Sequence, residues 1–488
     1  MVKGSRYPLI EEIDPELSPL DAFELFRDRQ FSFFMDSGMD PHKLGRYSFI
    51  GSDPFLVIST RGSEITLTGH AEKSRLDGNP FDALNHFLEV YRLDSCPSPV
   101  PFVGGAVGYF SYDLCHFIER LPSTAVDDLK LPECYLGFYD LILAFDNLEN
   151  KAYAISTGFP ELRETERIER ATRRLNEVKD KLANVSSSGT GAAFTPVSSP
   201  TEQMSLKGGF THKGYVDAVE KARQYIIAGD IFEVNLSQRF EAELSITPYE
   251  LYRRLRQINP APFACYLGFD KVSVVSASPE RFLRIQGDRV ETRPIKGTRP
   301  RGKTPEEDEA LANELLSSAK DRAENIMIVD LERNDLGRVC RFGTVKVPEL
   351  AILEVFPTVF HLTSTVVGRL GEGKNGIDLL KATFPGGSIT GAPKVRAMEI
   401  IDELEPTKRS VYTGSIGYLS YNGDLDLNIA IRTFLVKERK AYFQVGGAVV
   451  YDSDPEAEYQ ETLDKARALI DALNMAALVE GRHDISHR

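Results

Sequence analysis

Apolar and polar positions alternate in short runs through the first third of the chain. Examples are "YSFIGSDPFLVIST" (47–60), "SEITLTG" (63–69), "YDLILAFD" (139–146) and "AYAIST" (152–157). A period of two predicts half-buried strands, and the Gly, Asp and Pro between the runs predict tight connections. Two stretches break the pattern. "PFDALNHFLEVYRL" (80–93) has helical spacing, and "GFPELRETERIERATRRLNEVKDKLANV" (158–185) reads as a charge-rich amphipathic helix. "SSSGTGAAFTPVSSPTEQMS" (186–205) then has the composition of a linker.

Beyond the linker, "THKGYVDAVEKARQYIIAGD" (211–230) predicts a capped helix stopped at Gly229. Strand patterns follow at "IFEVNLSQRFEAEL", "FACYLGF" and "KVSVVSASPE", and a long helical stretch at 305–336. Strands and helices do not alternate regularly and no repeat is visible, so the pattern predicts an α+β fold. The organisation read this way is an N-terminal region 1–183, a linker 184–206, a second region 207–473 and a loosely held tail 474–488.

Composition narrows the function classes. The net charge of −14 speaks against nucleic acid or an anionic membrane as partner. Five scattered cysteines with no CxxC pair predict neither a disulfide framework nor a zinc site. No apolar run of membrane-spanning length occurs, and a cytoplasmic location is expected.

Local chemistry stands out against that acidic background. "ETRPIKGTRPRG" (291–302) places Lys296 among Arg293, Arg299 and Arg301. A free lysine is neutral only about 0.04% of the time at pH 7. Cationic neighbours and burial would lower its pKa and make a nucleophilic amine, whereas the plainer reading is a solvated basic turn. In "DSDPEAEYQETLDKARALIDAL", Glu458, Glu461 and Lys465 share one helical face, and Asp321 and Glu324 share another. Two such glutamates meeting in one pocket could bind Mg²⁺, although each alone reads as a solvated ion-pair stripe. "FQVGGAVVYDSDP" reads as a strand entering a Gly-Gly-Ala turn, and "FPGGSITGAPK" as a glycine-rich turn before a helix, both candidate anion cradles. "GEGKNG" (371–376) spells GxGxxG without its βαβ context and reads as a surface turn.

Taken together, "GDIFEVNLSQRF", "SASPERFL", "RPIKGTRPRG", "ENIMIVDLERNDLGRV", "FPGGSITGAPK", "YTGSIGYL", "LNIAIRT" and "DSDPEAEYQETLDKARA" resemble the chorismate-binding enzymes. That family includes anthranilate synthase component I, aminodeoxychorismate synthase component I (the large subunit of para-aminobenzoate synthase), and isochorismate and salicylate synthases. "DSGMDPHKLGRYSFIGSDP" and "PFVGGAVGYFSYDL" resemble the N-terminal region of its aminating members. The resemblance implies the anthranilate synthase component I-like fold, with packed antiparallel sheets flanked by helices.

It also implies roles. Lys296 stands where anthranilate synthases carry alanine and marks the aminodeoxychorismate synthases. It would attack C2 of chorismate, with Glu280 as general acid for the departing C4 hydroxyl and His361 orienting the ring. Glu324 and Glu461, with Glu458 nearby, match Mg²⁺ ligands. Gly446, Gly447 and Ala448 match the amides that cradle the ring carboxylate. Tyr412 and Arg432 match the binders of the enolpyruvyl carboxylate, and Thr390 and Lys465 match further pocket residues. Glu233 occupies the place of the water-activating lysine of isochorismate synthases, where an aminating member would carry glutamine; the resemblance assigns it no role.

No GxCxG nucleophile elbow occurs, so ammonia is expected from a separate glutamine amidotransferase subunit. The product would be 4-amino-4-deoxychorismate, on the route to 4-aminobenzoate and folate. Ser37, Arg46, Tyr47, Ser48, Pro262, Phe263 and Ala264 match an indole or effector pocket. "MDSG" replaces the usual Leu-Glu-Ser motif there, which speaks against feedback by tryptophan and leaves tryptophan as a structural ligand open. Two rival readings are anthranilate synthase component I, which eliminates pyruvate, and a non-catalytic chorismate-binding subunit.

Overall fold

In the computed structural model, residues 5–13, 17–69, 72–183, 206–356 and 359–483 are described. Two antiparallel sheets, each of twelve strands among those residues, carry the fold. In the first sheet the strands run Leu9–Ile13, Lys151–Ser156, Leu141–Asp146, Tyr47–Gly51, Ser32–Asp36, Phe263–Phe269, Val272–Ser278, Thr433–Lys437, Lys440–Val449, Glu233–Glu243 and Lys207–Gly208, with Gly391–Ala392 also on Glu233–Glu243. The second begins at Ile295–Pro300 and Val359–Arg369, passes through Arg281–Gln286, Leu425–Ile429 and Gly105–Phe110, and ends at Lys73–Asp77. The α+β architecture of packed antiparallel sheets flanked by helices is therefore the observed one.

The period of two explains the layers. Phe33, Leu267 and Val274 of the first sheet pack with Val107, Leu136, Ile416 and Leu427 of the second, forming the core between them. Their strand neighbours Phe34, Tyr266 and Val275 point the other way, under helices that supply Phe23, Leu175, Leu251, Leu255 and Leu469. The helix Glu164–Ala183 buries Arg167, Ala171, Leu175 and Val178, one face at spacings of three and four.

Three boundaries differ from the sequence pattern. In both sheets a block of strands from before the 184–206 boundary is hydrogen-bonded edge to edge with a block from after it, Ser32–Asp36 on Phe263–Phe269 and Gly105–Phe110 on Ser415–Ser420, so the two sheets run across that boundary. Residues 184–205 of the linker lie outside the described residues. The helical stretch at 305–336 is two helices, Pro305–Ser317 and Ala319–Gly337. Ser318 between them is extended, and its hydroxyl accepts from Asp321 N, an N-cap that restarts the helix. The last helix, Pro455–His483, runs past 473 into the stretch read as a tail. Residues 371–375 form the turn before helix Gly376–Thr383, which Asn375 caps. The five cysteines are unpaired, and no helix among the described residues is long and apolar enough to cross a membrane.

Candidate active site

A cavity of about 920 Å³ opens where the first strands of the second sheet meet strand Lys440–Val449 of the first, with helices Ala319–Gly337 and Pro455–His483 over it. Lys296, Glu280, His361, Tyr412, Arg432, Gly446, Ala448, Lys465, Glu324 and Glu461 all line it. Residues separated by up to 185 positions in the chain thus share one chamber. Thr390, Gly447 and Glu458 do not line it.

Lys296 reaches the cavity through a defect in its strand. Ile295 pairs with Thr363 but Thr298 pairs with His361, so one extra residue bulges from the strand at Lys296–Gly297. Gly297 adopts φ +86°, and a Cβ there would meet Leu315 Cδ1 at 2.9 Å and Asp321 Oδ1 at 3.0 Å. Glycine is therefore required beside the lysine, by conformation and by space.

The electrostatics around Lys296 reverse the sequence expectation. Arg293 binds Glu349, Glu354 and the Thr365 hydroxyl. Arg299 binds Glu314 and Asp321, and Arg301 binds Asp308 and the Phe356 carbonyl. Each guanidinium is neutralised by its own carboxylates, so the arginines do not depress the lysine. Burial pulls the Lys296 pKa down, but the carboxylates of Glu233, Glu324 and Glu280 outweigh it and leave the amine above its ordinary value. Lys296 Nζ donates to Glu233 Oε1 at 2.5 Å.

Glu280 sits at the mouth of strand Arg281–Gln286. Burial raises its carboxyl to about 7, against the lowering effect of the Ser388 hydroxyl (2.6 Å) and the Ile295 amide (3.3 Å), which both donate to Oε1. His361 shares a hydrogen bond of 2.9 Å between Nδ1 and Thr298 Oγ1. Burial, Arg432 and Lys465 hold it at about 3, so the imidazole is neutral at ordinary pH. Tyr412 and Arg432 line the cavity with no hydrogen-bond or ion-pair partner for their side-chain tips among the described residues. Arg432 is held at φ +51°, a strained backbone for a non-glycine residue. An unpaired guanidinium facing a chamber is a site for a carboxylate.

The Gly-Gly-Ala stretch is not a turn. Gly446–Ala448 lie inside strand Lys440–Val449, paired with Ser237–Asn235. The Ser237 amide donates to Glu405 and the Asn235 amide to the Thr390 carbonyl, so neither serves this ladder. The alternation of an antiparallel pair then turns the amides of Gly446 and Ala448 to the opposite edge, which strand Thr433–Lys437 leaves uncovered beyond Phe443. Two of the three expected cradle amides are available. Gly447 instead lies against the last helix, where a Cβ would approach Glu458 Oε2 to 3.0 Å and Glu461 Oε1 to 3.4 Å.

The acidic groups divide similarly. Burial raises Glu324 to about 7. Lys465, at 2.6 Å, outweighs burial and holds Glu461 below its ordinary value. Glu458 is buried, accepts from Ser453 at 2.6 Å and is raised by burial and by Glu461. Glu324 Oε1 and Glu458 Oε2 are buried acceptors without a hydrogen bond, Glu324 Oε1 having only Lys320 Nζ at 3.9 Å. Among the described residues no three acidic, imidazole or thiol groups cage a metal by themselves. A cation here would complete its shell from water and an anionic ligand.

Thr390, expected in the pocket, is wholly buried, and its hydroxyl donates back to the carbonyls of Gly386 and Gly387. Its neighbours Ser388 and Ile389 line the cavity instead. Sequence reasoning missed Ser388, Thr298 and Arg409; Ser388 and Thr298 lie in matched stretches, whereas Arg409 lies outside all of them. Arg409 is buried and binds both oxygens of Glu405 and the carbonyls of Ile389 and Asn235. Glu405 also accepts from the Ser237 amide and hydroxyl at 2.8 Å. This knot ties strand, loop and helix end behind the cavity. Glu405→Ala strands the Arg409 charge and is expected to cost about 3–5 kcal/mol, seen as a lowered midpoint in denaturant unfolding.

The second predicted cluster also assembles. Ser37, Arg46, Tyr47, Pro262, Phe263 and Ala264 line a separate cavity of about 280 Å³. Ser48 does not line it; its hydroxyl accepts from the Ser37 amide and the Asn147 side chain.

The description "chorismate binding enzyme" matches residues 32–471 of the chain. Anthranilate synthase component 1 of Acetivibrio thermocellus is 40% identical over 475 residues, covering 96% of this chain and 95% of that one. Aminodeoxychorismate synthase component 1 of Bacillus subtilis (strain 168) is 42% identical over 432 residues, covering 88% and 90%. The crystal structure of anthranilate synthase component I from Streptococcus pneumoniae TIGR4 superposes with a TM-score of 0.77 at 35% identity, covering 94% of this chain and 99% of that one.

Proposed function

The chain belongs to the chorismate-binding enzymes, and on that premise we propose that it aminates chorismate at C4 to give 4-amino-4-deoxychorismate. The observation that carries this reading is Lys296, a buried amine on the wall of the chamber that also holds Glu280 and the unpaired Arg432. Lys296 attacks C2 as the C4–O bond breaks, and Glu280 gives its proton to the departing hydroxyl. A carboxyl raised to about 7 is suited to that transfer near neutral pH. Ammonia then attacks C4 and releases the lysine.

Tyr412 and Arg432 hold the enolpyruvyl carboxylate, and the Gly446 and Ala448 amides meet the ring carboxylate. The neutral imidazole of His361 offers a donor or acceptor to the ring without adding charge. Glu324 and Glu461 would hold Mg²⁺, with Glu458 behind them; the buried oxygens of Glu324 and Glu458 that lack a hydrogen bond fit a hard cation. When bound, the ion neutralises the ring carboxylate and fixes its position. Ammonia comes from a glutamine amidotransferase subunit, since Cys115, Cys134 and Cys265 are buried and no cysteine stands in a nucleophile elbow. The cavity around Ser37 and Phe263 takes an indole-sized ligand such as tryptophan in a structural role.

A second reading, anthranilate formation with loss of pyruvate, is favoured by the 40% identity to an anthranilate synthase component 1. Incubation with chorismate, Mg²⁺ and an ammonium salt, followed by product analysis, separates them. Aminodeoxychorismate supports the proposal, and anthranilate with pyruvate overturns it. Arg432→Lys loses two-point recognition of a carboxylate. It is expected to raise the KM for chorismate about 10- to 100-fold with little change in kcat, as steady-state kinetics would show.

A further inference from the structure

Glu233 begins strand Glu233–Glu243 and is wholly buried. Its Oε1 accepts from Lys296 Nζ at 2.5 Å and from Asn235 Nδ2 at 3.3 Å, while Oε2 has no partner. Lys296 and Asn235 line the cavity, but Glu233 does not. It stands behind the lysine, closed off from any water or ligand in the chamber. Its proton traffic can therefore run only through the lysine, which separates it from a base that would activate water.

The lysine needs such a partner. Held as an ammonium by the surrounding carboxylates, it has no lone pair with which to attack carbon. Losing its proton to bulk solvent would leave the Glu233 carboxylate buried without its counter-charge. Passing the proton along the existing hydrogen bond leaves the charge of the pair unchanged. We propose that Glu233 is the internal base of Lys296, taking its proton as the lysine attacks and returning it as the lysine is released.

This inference rests on the reading of Lys296 as nucleophile, and the protons balance. The ammonium gives one proton to Glu233, and the freed lone pair forms the C2–N bond. The C4–O bond breaks, and the hydroxyl leaves as water with the proton of Glu280. When ammonia bonds to C4, the C2–N pair returns to the lysine, which recovers its proton from Glu233. The new C4 ammonium reprotonates Glu280. The other charged groups that act on Lys296 are Glu324 and Glu461 from the two covering helices and Glu280, which accepts from the neighbouring Ile295 amide.

The test compares wild type, Glu233→Gln and Glu233→Asp in the full chain. One readout is kcat/KM for aminodeoxychorismate formation against pH. The other is trace acetylation of Lys296 by acetic anhydride against pH, read by peptide mass spectrometry. In Glu233→Gln the acetylation midpoint of Lys296 is expected to fall by about one pH unit or more, because burial remains and its anion is gone. Its kcat/KM should gain an acid limb, about 10- to 100-fold below wild type near pH 6 and rising about tenfold per unit until the amine is free. Glu233→Asp keeps a carboxylate and should keep the wild-type profile at a lower rate.

An unchanged acetylation midpoint overturns the proposal whatever the product is. A lowered midpoint with the wild-type pH–rate profile also overturns it, leaving Glu233 a mere counter-ion. Release of anthranilate by wild type instead sinks the nucleophile reading itself, and product identity alone reports that.

Discussion

Lys296→Ala is expected to lower aminodeoxychorismate formation on the order of 10³-fold or more, because it removes the covalent route rather than a binding contact. Chorismate affinity should change little, since the proposed carboxylate contacts lie with Tyr412, Arg432 and the amides of Gly446 and Ala448. Quenched turnover followed by intact-protein mass spectrometry checks the chemistry directly. Wild type should carry a chorismate-derived adduct that the variant lacks. A variant that keeps wild-type turnover would show that the lysine is only a wall of the chamber. The lysine sits 6% exposed between strand and cavity, so alanine leaves a small void. Circular dichroism and a denaturation midpoint should show that the fold survives.

Glu280→Gln is expected to cost about 10²- to 10⁴-fold in kcat/KM, the usual range for loss of a positioned general acid. The pH dependence gives the sharper signature. An acid acts when protonated, and this carboxyl is raised to about 7. The wild-type rate should hold below that value and fall as pH rises through it, and Gln should abolish the limb. Ser388→Ala removes a donor that favours the charged form. Its limb should therefore shift to higher pH while the maximal rate is largely kept. A limb unmoved by either change would assign the proton to another group.

Much of this molecule was legible in the chain. The patterns at 139–157 and 263–278 marked strands, although alternation read as half-buried; both faces are filled, one by the partner sheet and one by helices. The spacing of Glu458, Glu461 and Lys465 placed them on one helical face, and Lys465 does bind Glu461 at 2.6 Å. The matched positions included thirteen catalytic, substrate and metal candidates, and ten of them line the cavity. They misplaced Thr390, because two residues inside a short 3₁₀ turn decide whether Ser388 or Thr390 faces the chamber. They also grouped Gly447 with the cradle amides, whereas strand register turns only the amides of Gly446 and Ala448 to the open edge.

The charge environment was read wrongly for a physical reason. "RPIKGTRPRG" lists the cations near Lys296 in sequence and none of the anions near it in space. Glu314, Asp308, Glu349 and Glu354 come from a following helix and a strand dozens of residues away, and they take up the arginines. Glu233, Glu324 and Glu280 come from three other elements and set the lysine. Periodicity and motif alone determined the fold class and which residue types the chamber holds, because both depend on local spacing. Which charge meets which, and so whether the lysine is amine or ammonium, was decided only by tertiary packing. Coulomb interactions follow distance in space, and in a two-sheet fold that distance bears little relation to distance along the chain.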